Sequence, residues 1–191
     1  MKLFFKILVT VLVIAGVAYF VLTQSQLPST EGGNDGAIDG TQQSQQTSRT
    51  TRPSNAQEAT VAFVHDGDTL YLQPPGTTSR SDEITVRLIG LDTPEIRPTV
   101  ECYGIEARDY LRQLLPQGSQ VWYAYDLDHK DPYDRTLLYV WTSSGEFVNL
   151  ELVQKGYATA LKIAPNDEYW PELSAAESNA RTNSLGMWGN C

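Results

Sequence analysis

Between Gln24 and Glu58 the chain holds almost nothing that can pack. This stretch is built mainly of Gln, Ser, Thr, Gly and Asn, and its only large aliphatic residues are Leu27 and Ile38. A segment of that composition buries too little apolar surface to offset the entropy lost on ordering, so a disordered polar linker is expected over 24–58. It divides the 191 residues into three parts. An apolar segment covers 1–23, the linker follows, and any core must be made from 59–191. No internal repeat is visible, so that last part is expected to be one domain.

Lys2 and Lys6 precede an uncharged run from Ile7 to Thr23. With Leu3 to Phe5 it approaches the ~20 residues that span a bilayer. Basic residues on its N-terminal side predict a cytoplasmic start, with the rest of the chain exported. The segment reads as a single-pass membrane anchor or as a cleaved signal peptide. Gly16-Val17-Ala18 offers a small-x-small cleavage site, but Tyr19-Phe20-Val21-Leu22 carries the apolar run beyond it. As a flexible coil the linker would hold the domain about 30 Å from the membrane.

From Ala59 the pattern becomes globular. Strands are expected over Thr60–His65, Thr69–Gln73, Ile84–Leu91, Ser119–Tyr125 and Thr136–Thr142, with Asp66-Gly67-Asp68 as a turn. Helical spacing covers Glu101 to Leu115, where Ile105, Leu111, Leu114 and Leu115 fall near one face and Pro116 ends the pattern. Val148–Lys155 reads as a short helix closed by Gly156. Asp167 is positioned to cap a last helix running to about Asn183. Five short strands and few helices form an α+β pattern that suits a small closed barrel with helices packed on it.

Composition narrows the chemistry. The two histidines, His65 and His129, stand alone, and the two cysteines, Cys102 and Cys191, lie far apart. No zinc set can be assembled from them, and no phosphate loop or serine nucleophile motif appears. Reactive groups must come from carboxylates and arginines. Asp68 follows a tight turn and Asp92 follows a strand. Two such carboxylates plus a backbone carbonyl make a hard oxygen site suited to calcium or magnesium. In a regular strand Arg87 would share a face with Ile89 and Leu91, so bringing it beside Asp92 requires a bend or bulge near Gly90. Singly, these features have ordinary explanations. Asp66-Gly67-Asp68 is a turn, Asp92-Thr93-Pro94-Glu95 looks like a helix start, and Asp131-Pro132-Tyr133-Asp134-Arg135 looks like a β-turn.

Their joint order is more specific. His65-Asp66-Gly67-Asp68-Thr69 followed by Val86-Arg87-Leu88-Ile89-Gly90-Leu91-Asp92-Thr93-Pro94-Glu95 resembles the signature of the staphylococcal nuclease family. Tyr103-Gly104, Glu106-Ala107, the Asp131–Arg135 turn, Val148-Asn149, Leu152-Val153, Gly156 and Leu185-Gly186-Met187-Trp188 extend the match over Thr60 to Trp188. The resemblance implies an OB-fold, a five-stranded β-barrel with three helices. It implies a calcium-dependent nuclease that cuts DNA and RNA at the 5′-oxygen and leaves 3′-phosphates. By position, Asp68 and Asp92 resemble the carboxylate metal ligands, and Thr93 the backbone-carbonyl ligand. Glu95 resembles the residue that activates water, and Arg87 and Arg135 the pair that grips the phosphate. Asp66 resembles an outer-shell residue near the metal, and Tyr133 a residue beside the substrate phosphate. With an exported domain, Cys102 and Cys191 are expected to form a disulfide. A monomer is the default expectation.

The sequence also departs from that pattern. The net charge is −9, and the residues before Ala59 carry four basic and four acidic side chains, so the domain holds all of it. An acidic domain repels polyanions at long range. The loop after Glu95 has only Arg97 as a cation, Pro132 stands where the best-known member has lysine, and Leu161-Lys162-Ile163-Ala164-Pro165 replaces that member's nucleotide-stacking tyrosines. A non-catalytic OB-type nucleic-acid-binding module is therefore the competing expectation.

Overall fold

A computed structural model describes residues 50–191. The apolar segment over 1–23 and most of the linker lie outside the described residues. Among the described residues no helix is long and apolar enough to cross a membrane.

The expected five-stranded barrel is present. Strands β1 (Gln57–Val64), β2 (Thr69–Gln73), β3 (Ile84–Leu88), β5 (Gln120–Ala124) and β6 (Thr136–Thr142) close in the order β1-β2-β3-β6-β5. All neighbours are antiparallel except β3 and β6. Alternation decides what points inward. Leu70 and Leu72 of β2, Val86 and Leu88 of β3, and Leu138 and Val140 of β6 are buried, whereas Tyr71 and Arg87 between them reach the surface. Closure leaves no open barrel edge among these strands.

Helices α1 (Gly104–Leu114), α2 (Val148–Gln154) and α3 (Trp170–Thr182) pack outside, and a one-turn α4 (Met187–Asn190) adds a fourth helix to the three expected. Ala107 and Leu111 on one face of α1, and Leu152 and Val153 of α2, are fully covered. A disulfide joins Cys102, just before α1, to Cys191 at the last residue.

Besides shifts of one to three residues at several ends, among them the first helix, which begins at Gly104 and not Glu101, three differences from the sequence reading shape the fold. The third strand does not run to Leu91. It stops at Leu88, and Leu91–Asp92 forms a separate β4 paired with β7 (Thr159–Ala160). The break is the bend required near Gly90, which has φ +82° and whose carbonyl accepts from Leu161 N at 2.9 Å. Neither two-residue strand has a local pattern of its own; each exists because the bend brings it against the other. Second, Asp167 does not cap α3. The cap position is Tyr169, and the Asp167 carboxylate is held by Lys162 Nζ at 2.9 Å. Third, the linker's end is docked. Gln57 and Glu58 belong to β1, Thr50 O accepts from Trp141 Nε1 at 2.9 Å, and the Arg52 guanidinium lies 4.0 Å above the Trp122 ring. These attachments use a carbonyl and a cation, so aliphatic composition carried no sign of them.

Gly90 has a second constraint, because a Cβ there would collide with Leu173 Cδ1 of α3. Gly90→Ala is expected to cost about 2 kcal/mol, combining left-handed backbone strain with overpacking. Urea unfolding checks this, and an unchanged midpoint would show that the bend tolerates a side chain.

Candidate active site

The β1–β2 turn is folded by its own aspartate. Asp66 Oδ1 accepts from Asp68 N at 3.1 Å and Thr69 N at 2.7 Å, an Asx turn that fixes where Asp68 points. Burial first, then the Asp68 charge, hold the Asp66 carboxyl above the usual range despite those two N–H donors. Asp68 is 7% exposed. Its Oδ1 accepts from Thr69 Oγ1 at 3.0 Å, and its Oδ2 from Thr93 N at 3.1 Å and Thr93 Oγ1 at 2.9 Å. Thr93 thus spends its hydroxyl and N–H on Asp68 and keeps its carbonyl for another use.

Arg87 stands between the two candidate ligand carboxylates. Its Nη1 lies 2.5 Å from Asp68 Oδ2, and its Nη2 donates to Asp92 Oδ1 at 2.7 Å. The bend at Gly90 makes this possible, since it returns Asp92 towards the outward face that carries Arg87. The guanidinium thus pairs with both carboxylates at once.

Arg135 approaches from the opposite side. Asp131 builds its turn, with Oδ1 accepting from Tyr133 N and Arg135 N at 2.9 Å each and Oδ2 accepting from Arg135 Nε at 2.7 Å. Arg135 Nη1 reaches Thr69 Oγ1 at 3.5 Å, and Thr69 is the β2 residue paired with Arg87. The two guanidinium groups therefore flank one position on the barrel wall. Tyr133 is 81% exposed, with its ring 5.6 Å from the Arg135 guanidinium. A groove of about 260 Å³ continues from both arginines along Leu137, Leu161, Ile163 and Pro165. The stretch that lacks the family's tyrosines thus lines an apolar wall.

Burial raises the Asp131 carboxyl, but hydrogen bonds from the Arg135 side chain and from the N–H groups of Arg135 and Tyr133 outweigh it and leave it below the usual range. A depressed folded-state value contributes stability above the unfolded value of ~3.9 and loses it as pH falls through the folded one. Melting temperature is therefore expected to fall less steeply below pH ~4 in Asp131→Asn than in wild type. Parallel acid profiles would show that the turn does not depend on this charge.

Glu95 is set by a clamp the sequence did not reveal. Its N–H donates to Glu101 Oε2 at 2.9 Å, and Glu101 N donates back to Glu95 O at 2.8 Å. Gly104 then lets the clamped loop lie on α1, since a Cβ there would sit 2.7 Å from Glu95 O and 2.9 Å from Pro94 O. The Glu95 carboxylate makes no hydrogen bond or ion pair among the described residues. Partial burial, followed by the charges of Asp68, Asp66, Asp92 and Glu101, raises it above the usual glutamate range.

The structure thus brings Asp66, Asp68, Arg87, Asp92, Thr93 and Glu95 together, with Arg135 and Tyr133 across the groove. It adds Thr69, Glu101 and Asp131 as positioning groups. Among the described residues no set of three or more His, Cys, Asp or Glu side chains surrounds one point. The donor chemistry still fits a hard cation. Asp68 and Asp92 already share one positive partner, the Thr93 carbonyl is adjacent, and four carboxylates raise the fifth, a repulsion that a divalent ion relieves.

Comparison with known proteins gives a consistent picture. The family model described as staphylococcal nuclease homologue matches residues 85–190. The thermonuclease of Staphylococcus intermedius is 38% identical over 131 residues, covering 67% of this chain and 74% of that protein. The thermonuclease of Staphylococcus hyicus is 37% identical over 142 residues, covering 72% and 80%. Endonuclease YhcR of Bacillus subtilis is 36% identical over 143 residues, covering 69% of this chain but 11% of that protein. The matched family stretch contains Arg87, Asp92, Glu95 and Arg135, while Asp68 precedes it and joins the cluster through its contacts with Arg87 and Thr93.

Proposed function

This chain belongs to the staphylococcal nuclease family, and from that premise we propose that it is a calcium-dependent nuclease that hydrolyses phosphodiester bonds of DNA and RNA at the 5′-oxygen, leaving 3′-phosphates. The observation that carries the reading is Arg87, whose guanidinium bridges Asp68 and Asp92, the two candidate ligand carboxylates, on the part of the barrel wall that Arg135 flanks from the other side.

Asp68, Asp92 and the Thr93 carbonyl are the groups that would hold the cation. When bound, it supplies charge that offsets the repulsion between an anionic phosphodiester and its nucleophile. Arg87 and Arg135 offer donors from two sides to the phosphoryl oxygens, where charge builds as water attacks. The unpaired carboxylate of Glu95, a residue whose backbone Glu101 holds, accepts the proton from that water, and its raised affinity for protons suits a base. Tyr133 lies near enough to Arg135 to border the same phosphate.

The full chain in detergent is expected to cleave single-stranded DNA with calcium present and to stop when a chelator removes it. DNA retardation on a gel without cleavage at any calcium concentration would favour the non-catalytic binding module. The apolar run after Lys2 and Lys6 and the Cys102–Cys191 disulfide together support an exported domain, tethered by that segment or released after its cleavage. Protease treatment of intact cells is expected to remove a tethered domain, and resistance before lysis would place it inside. The domain is proposed to act as a monomer.

A further inference from the structure

The acidic charge poses a problem that the active site alone does not solve: with a net charge of −9, the protein has little long-range attraction for a polynucleotide. A grip that does not rest on net charge lies on the outer face of the barrel. Phe63, His65 and Tyr71 form a triangle of rings with centroids 6.3 to 6.5 Å apart. Phe63 is 46% exposed, which is unusual for a phenylalanine within a strand.

Its exposure is built into β1. The register with β2 shifts between Val61 and Phe63, and across that bulge the alternation reverses. Val61 and Val64 both face the core, so Phe63 is turned outward beside its cross-strand partner Tyr71. Bulges that re-aim a side chain in this way are common beside functional sites. Arg112 holds its guanidinium 5.5 Å from the Phe63 ring by donating to Val64 O at 3.1 and 3.3 Å. Arg80 and Glu83 complete a groove of about 280 Å³.

The groove shares strand β2 with the proposed catalytic face. Tyr71 and Thr69 lie two residues apart on the same outward row of β2, and Thr69 is the residue flanked by Arg87 and Arg135. Two residues of strand advance about 7 Å, comparable to one nucleotide of extended single strand. Resting on the nuclease reading above, we propose that Phe63, His65 and Tyr71, with Arg80 and Arg112, form a stacking subsite for an unpaired base of a single-stranded polynucleotide, next to the scissile phosphate. Base stacking on aromatic side chains is tolerant of sequence and adds its own affinity to what the arginines supply. It also favours single over double strands, whose bases are already stacked.

The test compares the full chain with the double variant Phe63→Ser and Tyr71→Ser, on a 12-nucleotide thymidine single strand and on an abasic 12-mer, which has the same phosphates but no base to stack. The KM for the thymidine 12-mer is expected to rise roughly 5- to 100-fold with kcat unchanged, while kinetics on the abasic strand stay as in wild type. Phe63→Trp is expected to keep wild-type KM. If the double variant melts early, Phe63→Ser alone serves. An unchanged KM for the thymidine 12-mer, or an equal loss on the abasic strand, overturns the proposal. If wild type cuts neither substrate, the hydrolytic reading fails and fluorescence anisotropy of a labelled 12-mer decides the subsite separately. Weaker binding by the variant upholds it, and equal binding overturns it.

Discussion

Replacing Arg87 with alanine is expected to lower kcat/KM on single-stranded DNA by about a hundred- to a thousandfold, while calcium binding is kept or tightened. The two effects have one origin. Arg87 is the positive partner of both Asp68 and Asp92, at 2.5 and 2.7 Å. Its side chain is 12% exposed, so water screens these contacts little. Removing it deletes donors aimed at the transition-state charge. It also leaves two carboxylates facing one another with no cation between them, which raises their attraction for a divalent ion. Arg87→Lys is expected to rescue little, because an ammonium cannot reach both carboxylates and a phosphate with a fixed fork. Steady-state kinetics and calorimetric calcium titration read the two effects separately. A rate within a few-fold of wild type would remove Arg87 from the chemistry. Lost calcium binding would instead make it a structural support of the metal site.

The candidate site was legible in sequence only through its joint pattern. Asp68, Asp92, Arg87 and Arg135 have ordinary explanations singly, and they stand out because they occur together, in order, in strings that resemble the staphylococcal nuclease signature; strand alternation added that bringing Arg87 beside Asp92 needs a bend or bulge near Gly90. The closed barrel was legible from alternation itself, since Leu70, Leu72, Val86 and Leu88 alternate with outward residues. What was not legible depends on pairs distant in sequence. β4 and β7 are two residues each and have no period to detect. Glu101 holds the backbone of Glu95 through a loop whose closure no local signal announces. Asp131 looked like an ordinary turn residue, and only the structure shows its carboxylate aiming the Arg135 guanidinium. The bulge that exposes Phe63 is likewise invisible in a strand pattern that reads equally well without it.

Asn149 is the strongest example, and its removal is expected to have the largest effect on stability. It lies on α2, is fully buried, and its side chain bonds three main-chain groups, two on β6 and one just past the end of β3. Oδ1 accepts from Val140 N at 2.9 Å, and Nδ2 donates to Ile89 O at 2.9 Å and Leu138 O at 3.3 Å. Asn149→Ala would leave those groups unpaired in the core and open a cavity, at ~1–3 kcal/mol for each unsatisfied group. A loss of about 4 kcal/mol is expected, a large share of the 5–15 kcal/mol typical of a whole domain. The effect should reach the active site, because Ile89 is the last residue before the Gly90 bend that carries Asp92 to Arg87. Urea unfolding is expected to show the lower midpoint. At a temperature where the variant remains folded, kcat should fall while dissociation of the single strand changes little. A variant with wild-type stability would mean that water replaces the amide. A destabilised variant with wild-type kcat would mean that the Gly90–Leu173 packing and the Leu161 N to Gly90 O hydrogen bond hold the bend without Asn149.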